Sequence, residues 1–147
     1  MDLQPFMSMA PQAYLAACRN RRQQELTYLQ QYKKGLPDAF VKQWEATLSY
    51  TMYYDWLIYP MYHQMVTKKE QTEKIPAESY TVPAAIPMTF DDGLLHLAPY
   101  RNVVGSLFVN RTGLLDSVQK LQYQKDDSSA LLAKQLLPRQ SREYYFA

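Results

Sequence analysis

The sequence predicts an all-α protein: an antiparallel helical hairpin with an extended proline-rich strap, two further short helices and ordered terminal arms. Three observations predict it. Apolar residues recur at three- and four-residue spacing over much of the chain. Helix formers fill the positions between them. Nine prolines against four glycines do most of the punctuating. At 147 residues, 47% of them hydrophobic, the chain has the length of one domain with a core of its own. Residues 1–147 are therefore expected to form a single small helical domain with extended arms.

Residues 1–10, "MDLQPFMSMA", carry Phe6 and three methionines without periodicity, which reads as an extended N-terminal arm that needs apolar surface elsewhere. The helical hairpin is expected over 11–73. Its first helix starts at Pro11, suited to a first helical turn, and runs over 11–34 until Gly35 and Pro37 stop it. The apolar stripe of that helix is thin: Leu15, Cys18, Arg22 where an apolar residue would be expected, then Leu26, Leu29 and Tyr32 or Lys33. Asp38 can cap the second helix, 38–73, after a short turn.

That second helix contains "YTMYYDWLIYPMY", residues 50–62, with five tyrosines, a tryptophan and two methionines. Val41, Trp44, Leu48, Met52, Tyr59, Tyr62 and Val66 define one face expected to be buried, and Tyr50, Tyr54, Leu57, Met61 and Met65 line another. From 48 to 66 the helix is thus apolar or aromatic almost all round, the pattern of an enclosed helix. Either the rest of the chain or another protein must enclose it. Pro60 removes the amide that would bond the Trp56 carbonyl, so a kink or break costing ~3 kcal/mol is expected there.

The strap follows over 74–92, where Pro76, Pro83 and Pro87 are too close together for a helix or a central strand. The segment 93–137 holds the C-terminal helices. Asp91, Asp92 and Gly93 start a short turn that Pro99 interrupts, and a third helix is expected near 100–122 despite Gly105 and Gly113. A strand over 102–109 is the rival reading. A fourth helix near 129–137 is stopped by Pro138, and an aromatic tail, 138–147, closes the chain.

Composition excludes several functions. Sixteen basic residues against fourteen acidic ones leave a net charge of +2, too even to imply a nucleic-acid partner. Base stacking by the aromatic helix would need interleaved cations, yet no Lys or Arg lies between Lys42 and Lys68. A mean hydropathy of -0.43 and the lack of an apolar run near twenty residues argue against a spanning helix. One cysteine, Cys18, forms no intrachain disulfide and no paired-cysteine site, and fits a reducing compartment. The start Met1-Asp2-Leu3 has neither a secretory nor a cleavable-transit pattern, so any import signal is expected to be internal or already removed. The triplet Asn110-Arg111-Thr112 matches the glycosylation sequon but carries no weight without secretion.

Few residues suggest chemistry. Asp55 and His63 are the acid and histidine of the aromatic stretch and could form a catalytic dyad, but no nucleophile or oxyanion donor accompanies them. His96 has no second ligand at metal-binding spacing. Arg19 and Arg22 share a helix face that could hold phosphate or anionic lipid, with a solvated face or an ion pair as the simpler reading. No catalytic residue, metal ligand or cofactor is expected.

Tyr, Trp and Met in place of Leu, Ile and Val point instead to an interface with protein or with lipid headgroups. The chain is accordingly expected to be a non-catalytic structural accessory subunit of a large multiprotein assembly, bridging neighbouring subunits. The expected setting is intracellular and membrane-associated, in an organellar complex such as a mitochondrial respiratory complex or ATP synthase, peripheral to the inner membrane with lipid contact at its surface. The partner-binding residues would be Phe6, Tyr50, Tyr54, Trp56, Tyr59, Tyr62, Tyr144, Tyr145 and Phe146. The last three would enter a partner's pocket, with Arg142 and Glu143 at its rim. Two alternatives differ in class: a free-standing adaptor or chaperone-like module with an aromatic groove, and a small enzyme using Asp55 and His63.

Overall fold

The computed structural model describes residues 4–67, 89–111 and 137–147. The expected strap over 74–92 lies almost wholly outside these residues, as do the fourth helix near 129–137 and the end of the second helix beyond 67. The described residues are all helical, with no strand among them. A short helix α1 (Gln4–Met7) is followed by α2 (Pro11–Tyr32) and a 3-10 turn, Lys33–Gly35. Then come α3 (Asp38–Thr67), a 3-10 turn at Asp92–Leu94, α4 (Ala98–Arg111) and α5 (Arg139–Phe146).

The two long helices pack against each other with their order reversed. Tyr14, Arg22 and Gln30, ascending α2, bond Asp55, Ser49 and Glu45, descending α3. This is the antiparallel hairpin. Pro11 stands at the first helical position, where its missing amide costs nothing. Leu36 is extended (φ -113°, ψ 144°), as a residue before proline prefers. Asp38 is the first residue of α3, so its charge suits the positive end of the helix dipole.

Two expectations are corrected. Pro60 does not break α3, which runs as one helix from Asp38 to Thr67. Tyr59 and His63, buried on either side of the proline, bond the carbonyls of Met9 and Met7 (both 2.7 Å) and hold the helix through it. The N-terminal arm is not extended: α1 folds back on α3, with Met7 buried. The third helix is present as expected, with residues 102–109 helical within α4 rather than in a strand; its expected continuation from 112 to 122 lies outside the described residues. The short turn at Asp92–Leu94 ends before Pro99, which occupies the first turn of α4, where proline is well tolerated.

The core gathers at one end of the hairpin. Tyr50, Met52, Tyr53, Trp56, Leu57 and Tyr59 of α3 are buried against Tyr14, Leu15 and Cys18 of α2 and Tyr100, Val103 and Val104 of α4. The chain itself therefore covers most of the aromatic stretch, with α4 packing on α3 most extensively and α2 next. Tyr14 stacks on Tyr59 at 4.3 Å, and Tyr100 meets Tyr50 edge-on at 5.0 Å. These are the offset and T-shaped arrangements that the ring quadrupole favours.

The C-terminal helix joins this core through a polar relay. The amide of Asp91 donates to the Tyr100 hydroxyl (3.1 Å), which bonds Ser141 Oγ (2.8 Å), and Ser141 Oγ donates to the Asp92 carboxylate (2.8 Å). The same carboxylate accepts the amides of Gln140 (3.0 Å) and Ser141 (2.7 Å). Asp92 thus caps the first turn of α5 from 48 and 49 positions away.

Candidate functional site

Not one residue from 19 to 49 is buried. Among the described residues, α2 and α3 pack over that span chiefly against each other, which leaves much of the two-helix layer exposed. Leucines at 26, 29, 36 and 48 are half-buried, and the large aromatics stand out. Tyr28 (64% exposed) and Tyr32 (56%) lie one turn apart on α2, rings 4.8 Å from each other. Phe40 (42%) and Trp44 (44%) lie one turn apart on α3, with their rings edge-on at 6.2 Å. With Leu29, Leu36 and Leu48 they line a groove of about 640 Å³. Chemically it offers π-faces, aliphatic surface and one carboxylate, that of Glu25. It holds no grouping suited to bond making.

The residues expected from the sequence to bind a partner are distributed differently. Tyr50, Trp56 and Tyr59 are buried in the chain's own core, at 4% exposure or less, because α4, α2 and the N-terminal segment cover them. Tyr54 and Tyr145 pack partly against that core. Phe6, Tyr62, Tyr144 and Phe146 face outward. The tail is the helix α5, packed on α4, with Tyr144 and Phe146 exposed and Tyr145 turned partly onto the core. Arg142 is half-buried, donating to the Leu137 carbonyl at 3.2 Å.

Trp44, assigned by its spacing to a buried face, is exposed, as are Tyr62 and Met65, because nothing described packs on those sides. Tyr53 and Trp56 are buried although neither belongs to the two expected stripes. Sequence reasoning missed Tyr28, Tyr32 and Phe40 as surface aromatics. The signal was present in the two aromatic pairs at i,i+4 on either side of a tight turn.

Asp55 and His63 are not brought together. Eight positions apart on one helix, they are separated by about 12 Å along its axis. Asp55 pairs with Arg21. Burial pushes its carboxyl above the ordinary value, and Arg21 only partly offsets this. The backbone carbonyl of Asp55 accepts the Tyr14 hydroxyl (3.2 Å). The His63 ring bonds the Met7 carbonyl (2.7 Å) and the Tyr59 hydroxyl (3.2 Å), and so holds the N-terminal segment. His96 bonds the Gly93 carbonyl at 2.7 Å and belongs to a turn.

Cys18 is buried beside Tyr14, Asp55 and Trp56. Burial, then the Asp55 charge, push its thiol up, which suppresses the reactive thiolate. Arg19 sits over the Trp56 ring, 5.1 Å from its centre. Among the described residues no group of three metal-ligating side chains occurs, and no helix is long and apolar enough to cross a membrane.

No family model, no curated protein and no solved structure matches the chain.

Proposed function

We propose that the protein is a non-catalytic structural accessory subunit of a larger multiprotein assembly, bridging neighbouring subunits with the projecting half of its hairpin as a docking element. One observation carries this reading. Tyr28, Tyr32, Phe40 and Trp44 stand exposed around an apolar groove on a stretch that buries none of its own residues. Aromatics are the residue types that concentrate binding energy at interfaces, and exposed apolar patches mark contact sites. Two well-seated anchors, each worth about 2 kcal/mol on truncation, would change affinity more than a hundredfold. Asp55 and His63, the pair on which an enzyme would rest, are each occupied in holding the fold.

The proposed setting is intracellular, in an organellar membrane complex such as a mitochondrial respiratory complex or ATP synthase, peripheral to the inner membrane. It rests on exposed Tyr and Trp, side chains that also suit the level of lipid headgroups. The groove equally suits a second reading, a free-standing adaptor that takes a partner's helix transiently.

Affinity purification followed by native mass spectrometry separates the readings. A subunit co-purifies at fixed stoichiometry, and the double variant Phe40→Asp/Trp44→Asp leaves the assembly while melting at an unchanged temperature. Retention of that variant at full occupancy would refute docking through this face. Capture that depends on an added ligand would favour the adaptor.

A further inference from the structure

The opposite face of the hairpin carries a second groove, of about 680 Å³, within the range of ordinary ligand sites. Its lining mixes apolar wall, Leu26, Ala46 and Leu94, with two cations, Arg22 and Lys42. The three arginines at the start of this stretch have different fates. Arg19 lies over Trp56 and Arg21 pairs with Asp55, whereas Arg22 has only a neutral hydroxyl. Its Nε (3.3 Å) and Nη2 (2.9 Å) both donate to Ser49 Oγ, which in turn donates to the Glu45 carbonyl (2.9 Å).

Ser49 therefore fixes the guanidinium while leaving its charge uncompensated and three of its five N–H groups unused. Among the described residues no carboxylate pairs with Arg22 or Lys42. Glu45 shares the groove, but its side chain accepts from Gln30 at 3.2 Å. A half-buried cation held in place without an anion is an unusual expense in a helix face that otherwise packs leucine.

We propose that this groove binds an amphiphilic organic anion, an alkyl phosphate or carboxylate, with its acid group on Arg22 and Lys42 and its chain along Leu26, Ala46 and Leu94. The guanidinium offers the planar fork that phosphate and carboxylate accept in two parallel bonds. Lys42, two turns along α3 from Ser49, adds a second charge on a long stem. The ligand could be a free amphiphile or the headgroup end of a membrane lipid, and the two share this chemistry. The site is on the other face from the aromatic groove, so it stands whether or not that face docks a protein.

The test is isothermal titration of the whole chain with decyl phosphate below its micellar concentration, with inorganic phosphate and decyltrimethylammonium as comparisons. A parallel arm measures sedimentation with phosphatidylcholine vesicles containing phosphatidic acid. One decyl phosphate should bind per chain, more tightly than either comparison compound. Arg22→Gln should weaken it at least tenfold and Arg22→Lys by less, both variants being checked for an unchanged circular dichroism spectrum and melt. Lys42→Gln, at an exposed position, should also weaken binding and does not depend on the Arg22 variants folding. Binding only to vesicles, lost with Arg22→Gln and Lys42→Gln, would assign the anion to a lipid headgroup. Equal binding of inorganic phosphate would remove the role of the apolar wall. Equal binding of decyltrimethylammonium, or binding indifferent to both substitutions, would overturn the proposal.

Discussion

The two tryptophans provide the sharpest check on where this molecule keeps its core. Trp56 is 2% exposed and Trp44 is 44% exposed, although both lie on α3 and both fall within an apolar pattern. A buried aromatic of this size removes roughly 150–250 Å² from water, worth about 4–6 kcal/mol at 25 cal/mol per Å². Truncation to alanine in cores typically costs about 3–5 kcal/mol. Loss of the Arg19 contact adds about 0.5–1 kcal/mol. The Trp56 indole N–H, buried with no hydrogen-bond partner of good geometry among the described residues, works the other way, since its removal relieves a desolvation penalty. Trp56→Ala should therefore destabilise by about 3–5 kcal/mol, and Trp44→Ala by about 1 kcal/mol or less, as for a surface position. Urea titration followed by far-ultraviolet circular dichroism reads both values. If Trp44→Ala costs as much as Trp56→Ala, Trp44 is covered in the free chain, and docking through the hairpin face fails with it.

Other variants probe the remaining elements. Tyr100→Phe removes the hydroxyl between the Asp91 amide and Ser141 and should cost about 1–3 kcal/mol, because buried polar partners are left unsatisfied; a loss under 0.5 kcal/mol would deny the relay. Gly105→Ala, whose added methyl meets nothing within 4 Å, should stabilise by about 0.5–1 kcal/mol in the same titration. Asp92 and Asp55 should respond to pH with opposite signs. Burial acts to raise the Asp92 carboxyl, but hydrogen bonds from Gln140 and Ser141 outweigh it and hold the group below the ordinary carboxylate value. Its contribution is thus present above pH about 4 and lost as pH falls through the lowered value. Asp55 is raised by burial, so it disfavours the fold increasingly as pH climbs from about 4 through its raised value. Relative to wild type, Asp92→Asn should lose more stability at pH 7 than at pH 3, whereas Asp55→Asn should compare less favourably at pH 3 than at pH 7. The same trend in both variants would contradict these environments.

The hairpin was legible because its signals are local. Pro11 opens α2, Gly35 and Pro37 close it, and Asp38 begins α3, each acting within a turn of where it stands. Burial along α3 was not legible, since a helix apolar all round does not say which side another element will cover. That choice is made by α4 and the N-terminal segment, which meet α3 from tens of residues away: the Tyr100 ring reaches Tyr50, and the Met7 carbonyl bonds the His63 ring. The helical docking of the tail was not legible for the same reason. Three aromatics after a proline look like anchors for a partner, but the residue that organises α5 is Asp92, with no sequence rule connecting it to Ser141. Pro138 just before the helix and the Arg139–Glu143 pair one turn apart were the local hints that the tail is helical. Arg22 was visible as a break in the stripe of α2, and only the groove beside it gives that break a meaning.

A two-helix layer packed at one end and bare at the other has a gradient of local stability along its length. Amides near Tyr50–Tyr59, deep in the core, exchange with solvent only when the whole domain opens. Those near the Lys33–Gly35 turn can exchange by fraying of the hairpin alone. Any surface that grips the bare end would slow exchange there without altering it in the core. The position along α2 and α3 at which protection rises would then show how far a bound surface extends.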